Sequence, residues 1–195
     1  MAALPKHRGR IVRTAAMLFR RNGYAATGTN EIVAVSGAPK GSLYHYFPGG
    51  KAEIAAEAVT YAGGVVTATL KALTAEHPAA AAAIRAYGVL LAGWFARSGY
   101  REGCPIATTI LELAPATAAV TAAGRQVYED WVAIFAAALV RDGVADARAA
   151  ALARTAIAAF QGALILARTA QNDTAIAETT AEIANLFESV SRSGR

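Results

Sequence analysis

A chain of 195 residues that is 55% hydrophobic and only 17% charged can bury a sizeable core, which excludes an intrinsically disordered protein. Its single cysteine, Cys104, excludes an intramolecular disulfide framework and a multi-cysteine zinc site. The formal charge of +5 is uneven: residues 1–51 carry Lys6, Arg8, Arg10, Arg13, Arg20, Arg21, Lys40 and Lys51 against Glu31 alone, a net +7 that leaves −2 for the rest. That is the distribution of a polyanion-binding segment joined to a near-neutral body.

In chain order, Ile11, Ala15, Leu18 and Phe19 recur at helical spacing and predict a first helix that ends at Asn22-Gly23. A second, short helix begins at Gly28 or Thr29, turns Ile32 and Val35 inward and stops at Ser36-Gly37. Pro39 suits the first position of a third helix that runs through Phe47 and breaks at Pro48-Gly49-Gly50. Two short helices separated by a tight glycine-containing turn and packed on a longer one make a helix-turn-helix. In the third helix Leu43 and Phe47, one turn apart, anchor it inward and leave Lys40, Gly41, Tyr44 and His45 outside. Lys40 brings a phosphate-seeking charge, Gly41 a close backbone approach, and Tyr44 and His45 groups that bond phosphate or base edges.

The remainder reads as helices near 51–74, 79–97, 103–113, 116–141, 146–171 and 173–191. The breakers are His77-Pro78, Ser98-Gly99, Ala114-Pro115, Asp142-Gly143 and Asn172-Asp173. Large side chains concentrate in the middle: Tyr87, Leu91 and Trp94 on one helix, Tyr128, Trp131 and Phe135 on another. Such stripes fit either plain core or the lining of a cavity for an apolar or aromatic ligand, with Thr108, Thr109, Glu112 and Gln161 as polar groups to orient it. The last two helices carry Phe160, Ala163, Leu164 and Ala167, then Ile176, Thr180, Ile183, Phe187 and Val190, a pattern that suits packing within the chain or between two copies of it. No apolar run of secretory type follows the basic start, and the uncharged apolar stretches at 86–96 and 131–140 fall short of the ~18–20 residues that span a bilayer. A cytoplasmic chain without membrane contact is expected.

The run GYAATGTNEIVAVSGAPKGSLYHYF, positions 23 to 47, resembles the DNA-binding segment of the TetR family, and the likeness extends from about Ile11 to Ile54. The FPGGK link and Gly103-Cys104-Pro105 resemble its LmrA/YxaF-like branch. The resemblance implies an all-α fold of about nine helices: a three-helix DNA-binding domain over residues 1–50 and a six-helix ligand-binding and dimerisation bundle over 51–195. It nominates Thr29, Lys40, Gly41, Tyr44, His45 and Tyr46 for DNA contact, with Lys51 as a phosphate clamp opening the fourth helix. It further implies a homodimer built from the last two helices, a palindromic double-stranded DNA operator, and a small-molecule effector held by the middle ones. Three positions depart from the family pattern: Ala38 and Pro39 stand where polar residues are common, and Gly28 stands where a Ser or Thr cap is usual.

Catalytic chemistry has little to stand on. His7, His45 and His77 lie apart with no carboxylate at metal-ligand spacing, and PGGK lacks the spaced glycines and following Ser or Thr of a P-loop. Cys104 sits at an expected helix start, where a thiol can become redox-sensitive but is more often inert. Neither an enzyme nor a cofactor is expected. The competing reading is a helical small-molecule-binding protein or enzyme that keeps a vestigial helix-turn-helix; a chain freed from DNA would have little reason to hold +7 on its first 51 residues.

Overall fold

The computed structural model describes residues 6–39 and 41–193. Among these the chain forms nine α-helices and no strand: α1 Lys6–Asn22, α2 Thr29–Ser36, α3 Ser42–Tyr46, α4 Gly50–Glu76, α5 Ala80–Arg97, α6 Ala107–Leu113, α7 Ala118–Arg141, α8 Asp146–Ala170 and α9 Thr174–Ser193. The all-α expectation holds, and most boundaries fall at the expected breakers.

Side chains both remote and near in sequence finish several helix ends. The Asp142 carboxylate accepts the Ala80 N–H at 2.7 Å and caps α5, while Arg141 donates to the carbonyls of Thr74 at 3.0 Å and Pro78 at 3.3 Å. Adjacent residues at the end of α7 thus satisfy both sides of the α4–α5 corner. Asn172 Oδ1 accepts the Thr174 N–H at 3.1 Å and opens α9.

Three local expectations are corrected. α3 starts at Ser42, not Pro39, because Gly41 sits at φ 88°, a left-handed conformation that cannot continue a helix back to Pro39. Val35 does not turn inward: it is 54% exposed, and α2 buries Ile32 and Ser36 instead. α6 begins at Ala107 rather than 103, after a turn at Pro105 and Ile106.

The chain divides into two compact units. One comprises the described residues up to Val65 with Cys104–Val127; the other comprises Val66–Gly103 with the described residues from Tyr128 on. Residue 50, expected as the domain boundary, is where α4 begins, but the first unit also takes in much of α4, all of α6 and the start of α7.

In the first unit α1 buries Ile11, Ala15, Leu18 and Phe19 and packs on α2, α3 and α6. Gly63 and Gly124 are notches: a Cβ on the first would overlap Val127, and one on the second would overlap Ile110, so α7 lies directly on α4 and α6. In the second unit α9 packs on α5 and α8. Gly88 makes the α5–α9 approach possible, since a Cβ there would overlap the Thr180 side chain. The core of this unit holds Tyr87, Trp131, Phe135, Phe160 and Phe187.

Among the described residues one helix, α8, is long and apolar enough by length and composition to cross a membrane, although 44% of its most apolar window is buried within the protein. Counting only uncharged runs in the sequence passes over it, because Arg154 and Arg168 interrupt the apolar stretch.

Candidate DNA-reading site

α3 is a five-residue helix held from beneath and open above. Leu43 is 2% exposed and Phe47 fully buried, while Tyr44 is 65% exposed and His45 is exposed beside it. Tyr46 is half-buried, its ring edge-on to His45 at 5.1 Å between centroids. Ser42 Oγ donates to the Pro39 carbonyl at 2.7 Å and closes the turn that leads into α3. Gly41 is exposed with nothing near the position a Cβ would occupy, so its backbone is open to a close approach. Thr29 opens α2 and is half-buried; Gly28 is the N-cap of that helix and supplies no side-chain cap. Lys40 lies outside the described residues.

Basic residues of α1 brace this reader. Arg8 lies 5.0 Å over the Phe47 ring and forms an ion pair with Glu57 of α4. Burial lifts the Glu57 carboxyl above its ordinary range, and the Arg8 charge opposes that shift. Arg10 donates to the Gly37 carbonyl at 3.1 Å, fixing the turn between α2 and α3. Part of the positive charge of the first 51 residues is therefore internal bracing, whereas Arg13 and Arg21 remain exposed.

Lys51, expected as a phosphate clamp, places its ammonium 4.0 Å over the Tyr24 ring. Burial lowers the Lys51 pKa, with Glu112 pulling the other way; burial and then the Glu112 charge raise that of Tyr24. Glu112 was missed by sequence reasoning as part of this site. Its two carboxylate oxygens accept the backbone N–H groups of Tyr24 and Ala25, each at 2.7 Å. Expected as a ligand-orienting group, Glu112 has both oxygens bonded to the turn after α1. No sequence signal could join residues so far apart in the chain.

The other residues expected to hold an effector fall into different settings. Thr108 donates to the Cys104 carbonyl at 2.8 Å, and Thr109 is 1% exposed; both lie, like Glu112, in the first unit. In the second unit Tyr87 meets Phe135 and Phe160 edge-on at 6.2 and 5.3 Å, and Leu91, four residues after Tyr87 on α5, is buried. Trp131 is 2% exposed, stands edge-on to Tyr128 at 5.5 Å and donates its indole N–H to Thr67 Oγ1 at 3.1 Å. These contacts are those of a packed aromatic core. Trp94 is 36% exposed and Gln161 half-buried.

The residues expected at a dimer interface are mostly buried within the single chain. Phe160, Ala163, Leu164, Ala167, Ile176, Thr180, Ile183 and Phe187 are all at most 8% exposed within the single chain, and Val190 is half-buried. They are consumed by packing inside the chain. The outward stripe of α8 is instead Ala151, Thr155, Ala158, Gly162, Ile165 and Leu166, the last two 62% and 60% exposed.

A three-helix reader with one short helix presented outward, continued into a helical body, defines a helix-turn-helix transcriptional regulator. The profile of bacterial regulatory proteins of the tetR family matches residues 11–58, and that of the LmrA/YxaF-like transcriptional regulator C-terminal domain matches residues 80–182. The chain is 36% identical over 167 residues to the HTH-type transcriptional regulator YxaF of Bacillus subtilis, covering 86% of this chain and 87% of that one. It is 30% identical to the HTH-type transcriptional regulator LmrA of the same organism, covering 93% and 96%. Among solved structures, the regulatory protein TetR from Rhodobacter sphaeroides superposes with a TM-score of 0.81 at 22% identity, covering 93% of this chain and 98% of that one. The chain belongs to the TetR family of bacterial transcriptional regulators, in its LmrA/YxaF-like branch; the family are DNA-binding proteins rather than enzymes.

Proposed function

We propose that this chain is a ligand-responsive repressor that reads a two-fold operator through α2 and α3 and releases it on binding a small apolar or aromatic effector. The observation that carries the reading is the division of α3: Leu43 and Phe47 are buried while Tyr44 and His45 face solvent at the point where Gly41 opens the backbone. Thr29, Gly41, Tyr44, His45 and Tyr46 are the contacts to DNA, joined by Lys40, with Lys51 on phosphate. A regulator of this kind acts in the cytoplasm, where the DNA is.

Two further assignments belong to this reading. The homodimer forms through the outward stripe of α8, because the inner faces of α8 and α9 are occupied within the chain. The effector engages Tyr87, Leu91, Trp94, Tyr128, Trp131, Phe135 and Gln161 by prising apart aromatic side chains that touch in this structure. Such an opening favours a flat apolar ligand that replaces the ring contacts it breaks.

The test is a fluorescence-anisotropy titration of the DNA flanking the protein's own gene with the parent and with Tyr44→Ala. Tyr44 is exposed, so the variant keeps its fold, and its affinity for that DNA falls by about tenfold or more, as for loss of one good base-edge or phosphate contact. A variant that binds as tightly as the parent would remove α3 as the reader.

A further inference from the structure

Glu112 is an exposed acid on the short helix α6, in the part of the chain matched by the C-terminal family profile, yet its carboxylate reaches the part matched by the DNA-binding profile. Both oxygens are used, one on the Tyr24 N–H and one on the Ala25 N–H, at 2.7 Å each. These amides lie in the turn that follows α1. A carboxylate accepting two backbone N–H groups is a strong, directional contact.

The surroundings are shaped for it. Gly23 sits at φ 85°, and a Cβ there would come within 2.7 Å of Glu112 Oε1, so both the turn and the approach of the carboxylate need glycine. Thr27, fully buried, donates to the Gly23 carbonyl at 2.8 Å and closes the same turn. Ile110, two residues before Glu112 on α6 and so on a different face of that helix, fills the notch at Gly124 of α7, which fixes α6 from its other side. Tyr24 in turn carries the Lys51 ammonium on its ring face.

We propose that Glu112 is a positioning residue for DNA binding: it clamps the turn between α1 and α2 and, through Tyr24, sets where α2 starts and where Lys51 stands. The inference rests on α2 and α3 being the DNA reader. It makes a prediction opposite in sign to simple electrostatics. A carboxylate near a DNA-binding surface repels phosphate, so its removal by charge alone would tighten binding to any duplex. Loss of a positioning clamp weakens binding to the recognised sequence and spares binding to unrelated DNA.

The experiment uses the full-length dimer and two probes: the duplex that the parent selects from a random pool, and a mixed-sequence duplex of equal length. Glu112→Ala binds the selected duplex about tenfold or more weaker, and binds the mixed duplex as tightly as the parent or tighter. Glu112→Gln, which keeps the shape and one acceptor, falls in between. Amide exchange at Tyr24 and Ala25, slow in the parent, becomes fast in Glu112→Ala while the rest of α1 keeps its protection. Equal weakening on both duplexes, unchanged affinity on both, or tightening on both would overturn the clamp, as would amides at Tyr24 and Ala25 that exchange equally fast in the parent. If Glu112→Ala does not fold, the isosteric Glu112→Gln carries the same comparison. A parent that selects no duplex would instead overturn the DNA-reading assignment on which the clamp rests.

Discussion

Trp94 and Trp131 both fall on aromatic stripes in the sequence, and nothing in their spacing tells them apart. The fold does: Trp131 is 2% exposed with its N–H bonded to Thr67, whereas Trp94 is 36% exposed. Trp131→Ala would therefore open a core cavity and cost about 3–5 kcal/mol of stability, as large aromatic deletions do. A milder probe is quenching by acrylamide. Two populations of emission are expected, and Trp94→Phe removes the accessible one, leaving blue-shifted fluorescence that resists the quencher. Emission that remains readily quenched in that variant would show that Trp131 is not enclosed. Phe187 teaches the same lesson at the expected dimer interface. Heptad-like spacing marks one face of a helix as apolar, but it does not say whether that face meets the same chain or another, and here α5 and α8 pack on α9.

The helices themselves were largely legible, because turn chemistry is local. Asn22-Gly23, Ser36-Gly37, His77-Pro78, Asp142-Gly143 and Asn172-Asp173 each interrupt a periodic segment by breaking hydrogen bonding within a few residues. α3 was legible in its faces but not in its start, since Pro39 is equally acceptable as a first helical residue and as part of a turn; the left-handed Gly41 decides it. Which glycines serve as notches was not legible at all, because it depends on what crosses them. Gly88 and Gly64 give opposite expectations under the same substitution. Gly88→Ala drives a methyl into Thr180 and should destabilise by about 1–3 kcal/mol. Gly64→Ala meets nothing within 4 Å and should stabilise by up to about 1 kcal/mol through helix propensity. Urea midpoints of the two variants check the signs, and a Gly88→Ala midpoint at or above the parent's would refute the close α5–α9 approach.

For the whole molecule, the excess of basic residues at the start of the chain pointed to nucleic acid, but the structure assigns that charge to two tasks. Arg8 and Arg10 hold the reader together, and Arg13 and Arg21 stay at the surface. The number of phosphates neutralised should accordingly be smaller than the net charge of the segment suggests. A reader ending where α4 begins is the natural cut in the sequence, yet α6 and the start of α7 share a compact unit with α1 to α3, and Glu112 bonds the reader's backbone. The most direct test of the account is the salt dependence of binding to the DNA flanking the protein's own gene, with stoichiometry read from the same anisotropy titration. The account predicts two chains per operator and a log–log slope of several units, about −0.9 for each phosphate contacted. A slope near zero, or the same affinity for flanking and unrelated DNA at every salt concentration, would contradict it.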